Sequence, residues 1–174
     1  MIHKGGNQRW TEFHAWASLC LGLGVKTYLE LGCGSAGFMR LAGVKSMAID
    51  ILPDHHGGCI DHFHGNSNDP LNVERVTNLF DGPPDAVFID ADHEYGAVKL
   101  DFLLWYPIAT KIVGFHDILM HGSKTFWDEI KVEYPSVEII GQDRGSAEEW
   151  QHGSSHLNGK LECGGIGVIF KETL

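Results

Sequence analysis

Short apolar runs alternate with stretches of helical spacing along this chain. Val25 to Leu31, Val44 to Ile51, Cys59 to Gly65, Asp85 to Asp90, Lys111 to Phe115, Val137 to Ile140 and Gly165 to Phe170 read as seven strands. Phe13, Trp16, Ala17, Cys20 and Leu21 recur at helical spacing behind Thr11, which suits an N-cap; Gly22 and Gly24 end that helix. A short helix is predicted from Ser35 to Leu41. Another starts at Pro70, with Asp69 as N-cap and Leu71, Val73, Val76, Leu79 and Phe80 as its apolar stripe. A helix from Glu94 to Tyr106 presents Val98, Leu100, Phe102, Leu103 and Trp105, and one from Ser123 to Tyr134 presents Phe126, Trp127, Ile130 and Val132. Strands alternating with helices predict an α/β domain with a mostly parallel sheet. The polar, glycine-rich stretch 142–163 is too long for a hairpin turn; a loop ordering over a substrate and a passive insertion both fit it.

The length of 174 residues suggests one domain, residues 1–174, with a real core. Hydrophobic residues make up 43% and charged residues 21%, as in ordinary globular chains. The net charge of −10 argues against a phosphate-backbone partner or an anionic membrane surface, so nucleic acid is an unlikely partner. Cys20, Cys33, Cys59 and Cys163 form no Cys-x-x-Cys pair. With no signal-peptide pattern at the start and no apolar run of membrane length, a reducing cytoplasmic setting is expected.

The first strand runs into Gly32, Gly34 and Gly37, and a helix should follow. Such a turn lets a ligand approach the backbone, and the amides opening the helix favour an anion. The glycine spacing suits a dinucleotide or S-adenosylmethionine (SAM). Glu30, just before the first glycine, favours a ligand carrying an ammonium and a sulfonium over a pyrophosphate. Asp50 ends the second strand, where an acidic residue commonly takes ribose hydroxyls.

Two further clusters end strands: Asp90-Ala91-Asp92-His93 and His116-Asp117. Together they bring carboxylates and imidazoles to the edge where Gly32 and Asp50 converge. Oxygen donors suit magnesium, calcium or manganese, and imidazole shifts preference toward transition metals. His55, His56, His62 and His64 lack a completing carboxylate or cysteine pattern and read as loop or edge residues.

The run Glu30-Leu31-Gly32-Cys33-Gly34-Ser35-Ala36-Gly37 resembles the first motif of Rossmann-like SAM-dependent methyltransferases. Val87 to Asp101, followed by Trp105, Pro107 and Phe115-His116-Asp117, resembles the metal-dependent O-methyltransferases of the macrocin and cephalosporin-hydroxylase-like group. The resemblance covers roughly residues 25 to 120. It implies a Rossmann-like three-layer sandwich, with a mostly parallel seven-stranded sheet and a reversed last strand. It further implies SAM as cofactor, held by Glu30, Gly32, Gly34, Gly37, Asp50 and Asp90. Asn66 and Ser67 would border the adenine, Asn66 standing where the group has an aspartate. A divalent cation, magnesium foremost, would sit on Asp90, His116 and Asp117, with His116 in a place often held by an acidic residue. His93 would be the base. The implied reaction is metal-assisted O-methylation of a small-molecule acceptor. An NAD-dependent oxidoreductase and a non-catalytic SAM-binding subunit remain alternatives, and a homo-oligomer is a possible assembly.

Overall fold

The computed structural model describes residues 10–33, 40–52, 61–141 and 164–171. Of the helix expected from Ser35 to Leu41, all but Arg40 and Leu41 lies outside them, and those two are not helical; Gly34, Gly37, His55, His56, Cys59, Cys163 and the stretch 142–163 also lie outside.

Seven strands form one sheet: β1 (Thr27–Leu31), β2 (Lys45–Asp50), β3 (His62–His64), β4 (Ala86–Ile89), β5 (Ile112–His116), β6 (Ser136–Ile139) and β7 (Ile166–Phe170). Their order is β3-β2-β1-β4-β5-β7-β6. The first five are parallel, and β7 runs antiparallel to both β5 and β6. The expected architecture of a mostly parallel sheet with a reversed last strand is therefore what forms.

Strand alternation sorts the core into two layers. Leu29, Leu31, Val87, Ile89, Val113 and Phe115 face α2 (Pro70–Phe80), α3 (Tyr95–Trp105) and α4 (His121–Ile130). Tyr28, Ala86, Phe88 and Ile112 face α1 (Trp10–Gly22), through Phe13, Trp16, Ala17 and Cys20. Gly114 belongs to this second face because a Cβ there would meet Phe88 at 2.7 Å and Trp16 at 2.9 Å.

α2 begins as its sequence dictates. The Asp69 carboxylate accepts from the Leu71 amide, and Pro70, which lacks an amide, occupies the first turn. Helix faces depart from the expected stripes. Leu71 and Leu79 on α2, and Leu100 and Leu103 on α3, are exposed, whereas Asn72 and Asp101 are buried. On α4, Phe126, Trp127 and Ile130 bury as expected, while Val132 lies past the helix and is exposed.

Candidate active site

The strand order reverses about β1, which pairs with β2 on one side and β4 on the other. Crossovers diverge there and leave a crevice beyond the carboxyl ends of the strands. A cleft of about 670 Å³ occupies that place, and its walls include Gly32, Asp50, Asn66, Ser67, Asp90 and His93.

Gly32 leaves β1 at φ +80°. A Cβ there would come within 2.3 Å of the Ala91 Cα and 2.6 Å of the Asp90 carbonyl oxygen. The glycine thus lets the ends of β1 and β4 close together, with the Asp90 amide donating to the Leu31 carbonyl at 2.8 Å. Asp50, nearly buried, accepts from the Cys33 amide at 2.8 Å and the Leu52 amide at 2.7 Å. It anchors the start of the glycine turn as well as lining the cleft. Asn66 accepts from the Asn68 amide through its side chain, and its carbonyl takes the Asn72 amide group. The buried Trp105 indole donates to the Ser67 carbonyl at 2.9 Å, so α3 holds this turn from beneath.

Glu30 does not line the cleft. Alternation along β1 turns it, with Tyr28, toward α1, where it is buried and accepts from the Tyr28 hydroxyl at 2.7 Å. Burial, together with the Glu30 charge, raises the Tyr28 pKa well above its usual value. Burial, then the charges of Asp50 and Glu30, pushes the Cys33 thiol up to about 12. Burial pushes Cys20 to about 12 as well. Neither described thiol has the thiolate character that a nucleophile needs at neutral pH.

The two strand-end clusters do meet. Parallel pairing sets Ile89 beside Phe115, so Asp90 and His116 follow at adjacent strand ends. His116 Nδ1 is 2.7 Å from Asp90 Oδ1 and 3.5 Å from Asp117 Oδ2. His93 Nε2 is 3.4 Å from Asp117 Oδ2 and 4.0 Å from Asp90 Oδ1. Burial alone would lower the His116 pKa; the Asp90 charge and hydrogen bond, then the charges of Asp117 and Glu12, push it up to about 9. The neighbouring carboxylates thus favour the protonated form of His116, and a cation bound through its imidazole would displace that proton. Asp90, His93 and His116 each place one ligand atom within 4.8 Å of the other two, a spacing that could hold a divalent cation; Asp117, expected from the sequence as a ligand, approaches the two imidazoles but does not join that group. Asp117 reaches the cluster with φ +54°, and its other oxygen accepts from the Gly164 amide.

Two residues that shape this cluster escaped the sequence reading. Glu12 on α1 is fully buried, and one of its oxygens accepts from the amides of Gly141, at 2.8 Å, and Gly165, at 3.0 Å. Gly122 is the second residue of α4, which starts at His121, two residues before the expected Ser123. A Cβ on it would lie 2.1 Å from the His93 carbonyl oxygen, so only glycine lets α4 press against the backbone that carries His93. Asp92 lies at the cleft wall and accepts from the Glu94 amide at 2.9 Å, fixing the turn before α3. His64, by contrast, has a local role: its Nε2 lies 2.9 Å from the Ile51 carbonyl oxygen.

The strand order, the reversed β7 and helices on both faces define a Rossmann-like α/β fold. Solved structures that share it include O-methyltransferases. That of Bacillus cereus, in complex with S-adenosylhomocysteine (SAH), aligns with 95% of this chain and 83% of its own at 15% identity, with a TM-score of 0.62. MycE methyltransferase from the mycinamycin biosynthetic pathway, in complex with Mg and SAH, aligns with 70% of this chain and 35% of its own at 18% identity, with a TM-score of 0.53. The chain spans about a third of the length of the MycE chains it matches. At these identities the likeness is one of fold. No protein-family model and no curated protein matches the chain.

Proposed function

We propose that the protein is a SAM-dependent methyltransferase acting, with a divalent cation, on a hydroxyl of a small molecule. The observation that carries this reading is the continuity of the cleft. One wall-lined space runs from Gly32 and Asp50, through Asn66 and Ser67, to Asp90 and His93 at the carboxylate–imidazole cluster. A cofactor half and a chemical half are thereby brought side by side. The methyltransferases that share the fold, solved with SAH and in one case Mg, support the same assignment.

SAM supplies a methyl group already activated by its sulfonium. A divalent cation supplies a Lewis acid that lowers the pKa of a hydroxyl beside it. Asp50 would take the ribose hydroxyls with lone pairs left over from the Cys33 and Leu52 amides. Asn66 and Ser67 would border the adenine. Gly32, with Gly34 and Gly37, would admit the methionine end to the backbone. Glu30, turned toward α1, supports this end from behind the strand rather than from the cleft. Asp90 stands between the two halves and would serve both; Asp117 and His116 complete the cation's surroundings. Holding an acceptor oxygen beside the methyl group is the chain's main contribution to rate, and such alignment supplies several kcal/mol.

The acceptor is proposed to be a small molecule, because the cleft is local and the net charge is acidic. Among the described residues, no helix is long and apolar enough to cross a membrane. The free thiols of Cys20 and Cys33 support a cytoplasmic setting. Exposed Leu100 and Leu103 support self-association through α3. We take the chain as one catalytic domain.

Calorimetry with SAM, SAH, NAD and FAD tests the assignment. SAM and SAH are expected to bind. NAD binding without SAM binding would replace the methyltransferase with an oxidoreductase. Asp50→Asn keeps one acceptor oxygen for the Cys33 amide, removes the charge and gives up the bond from the Leu52 amide. It should weaken SAM binding about tenfold or more, the scale of hydrogen bonds to a charged group. Unchanged affinity would remove Asp50 from the ribose site. Methyl transfer to any acceptor would exclude a purely binding role.

A further inference from the structure

We propose that Asp90, His93 and His116 form a two-imidazole, one-carboxylate site that takes a first-row transition ion in preference to magnesium. As the cation of the methyl-transfer site, this ion rests on the reading above; as a ligand set, it stands on geometry alone.

One ligand atom from each of the three residues lies within 4.8 Å of the other two. Asp90 Oδ1 is 2.7 Å from His116 Nδ1 and 4.0 Å from His93 Nε2. Ligand atoms at ~2.0–2.2 Å from a tetrahedral ion stand ~3.3–3.6 Å apart, so shifts of under about 1 Å in the side chains would bring these groups onto one ion. The three side chains are carried by independent and rigid supports. Asp90 follows β4, where its amide is tied to the Leu31 carbonyl. His116 is the last residue of β5 and pairs with Ile166 of β7. His93 rides on backbone against which Gly122 of α4 is packed with no room for a Cβ. Asp117 Oδ2 stands 3.4 Å from His93 Nε2 and 3.5 Å from His116 Nδ1, outside the three-residue group but close enough to balance the ion's charge.

Magnesium demands near-octahedral oxygen donors and retains its waters. Two imidazoles displace that chemistry toward manganese, iron, cobalt or zinc, and three protein ligands leave positions open for an acceptor oxygen. This arrangement assigns His93 to the ion, whereas the sequence reading expected it to remove the acceptor's proton. An acceptor hydroxyl held beside such an ion would be more acidic and would release its proton to solvent water, since His93 as a ligand is no longer free to take it.

The test uses the full chain, free of any affinity tag, stripped with chelator and titrated separately with Zn²⁺, Co²⁺, Mn²⁺ and Mg²⁺. One Zn²⁺ or Co²⁺ per chain is expected, at least ~100-fold tighter than Mg²⁺, and bound Co²⁺ should show visible absorption that reports nitrogen ligation. His93→Ala should lose at least ~10-fold in Zn²⁺ affinity and change the Co²⁺ spectrum, with Mg²⁺ binding little altered. A His62→Gln, His64→Gln double variant should bind as the parent does, which separates this site from the histidine pair of β3. Circular dichroism and urea unfolding verify that each variant folds. Mg²⁺ binding as tight as Zn²⁺, or His93→Ala binding Zn²⁺ and Co²⁺ as the parent does, would overturn the proposal. SAM affinity measured on the same preparation distinguishes the two failures. SAM binding without transition-ion preference sinks only the ion, and ion binding without SAM binding sinks only the methyltransferase.

Discussion

Gly32→Ala is expected to destabilise the protein by about 4 kcal/mol and to abolish cofactor binding. Two costs add. The residue sits at φ +80°, a left-handed conformation that costs an L-residue about 1–2 kcal/mol. The new methyl would also stand 2.3 Å from the Ala91 Cα, 2.6 Å from the Asp90 carbonyl oxygen and 2.7 Å from the Ala91 amide nitrogen. Those are backbone atoms and cannot swing aside, so overpacking should add about 1–3 kcal/mol. The ends of β1 and β4 would have to part, straining the bonds from Gly32 N to Ile49 O and from Asp90 N to Leu31 O. Asp90 would leave the cluster it shares with His116. Gly43→Ala is the internal comparison, since Gly43 has φ +76° but nothing within 4 Å of a Cβ. It should lose only the conformational part, about 1–2 kcal/mol. Urea unfolding of the two variants measures the difference. Equal losses would show that close approach at the β1–β4 end is unimportant and that Gly32 serves the ligand alone.

The position of Gly32 shows why the sequence carried so much of this site. The glycine needed for backbone approach, the aspartate ending β2 and the two clusters ending β4 and β5 are each local signals. Parallel strand topology then sends all of them to one edge. Asp69-Pro70 likewise announced α2 through a capping rule that involves only neighbouring residues. The strand alternation that turns Glu30 away from the cleft was equally readable from Tyr28, Glu30 and their apolar neighbours, had the face been followed through the motif.

What could not be read depends on distant partners. A glutamate in α1 ordinarily reads as a solvated face. Glu12 is instead buried because it serves the Gly141 and Gly165 amides, 129 and 153 positions away. Gly122 is explained only by the His93 carbonyl across from it. In α3 the nearly continuous apolar run Phe102-Leu103-Leu104-Trp105 leaves the helix phase undetermined. The phase that buries Phe102 and Trp105 also buries Asp101 and exposes Leu100 and Leu103. A carboxylate where a leucine was expected is the largest departure from the hydrophobic pattern.

That departure has a measurable consequence: Asp101→Asn should be more stable than the parent above neutral pH, by a few kcal/mol. The Asp101 side chain is fully buried, and neither oxygen finds a hydrogen-bond partner of good geometry among the described residues. Burial pushes its pKa up to about 7 from 3.8; the nearby Ser67 hydroxyl offsets part of that rise, and the Asp92 charge adds to it. The unfolded chain releases this proton near 3.8, whereas the folded chain holds it to about 7. Between those values the folded state binds more protons than the unfolded state, so stability falls as pH rises. The contribution is fully present below 3.8 and is lost through about 7. A displacement of about three pH units corresponds to about 4 kcal/mol. Asparagine keeps the shape and a hydrogen-bond donor but has no charge to bury. Its stability should match the parent near pH 4 and exceed it at pH 8. The difference between parent and variant cancels groups common to both, such as His116. Because Asp101 lies beneath the Ser67 turn, the variant should also hold that wall of the cleft in place at high pH, where the parent's charged carboxylate strains it. Urea unfolding from pH 4 to 8 decides the matter. A parent-minus-variant difference that stays constant across this range would place the Asp101 proton in contact with solvent and remove the buried acid from the account of this fold.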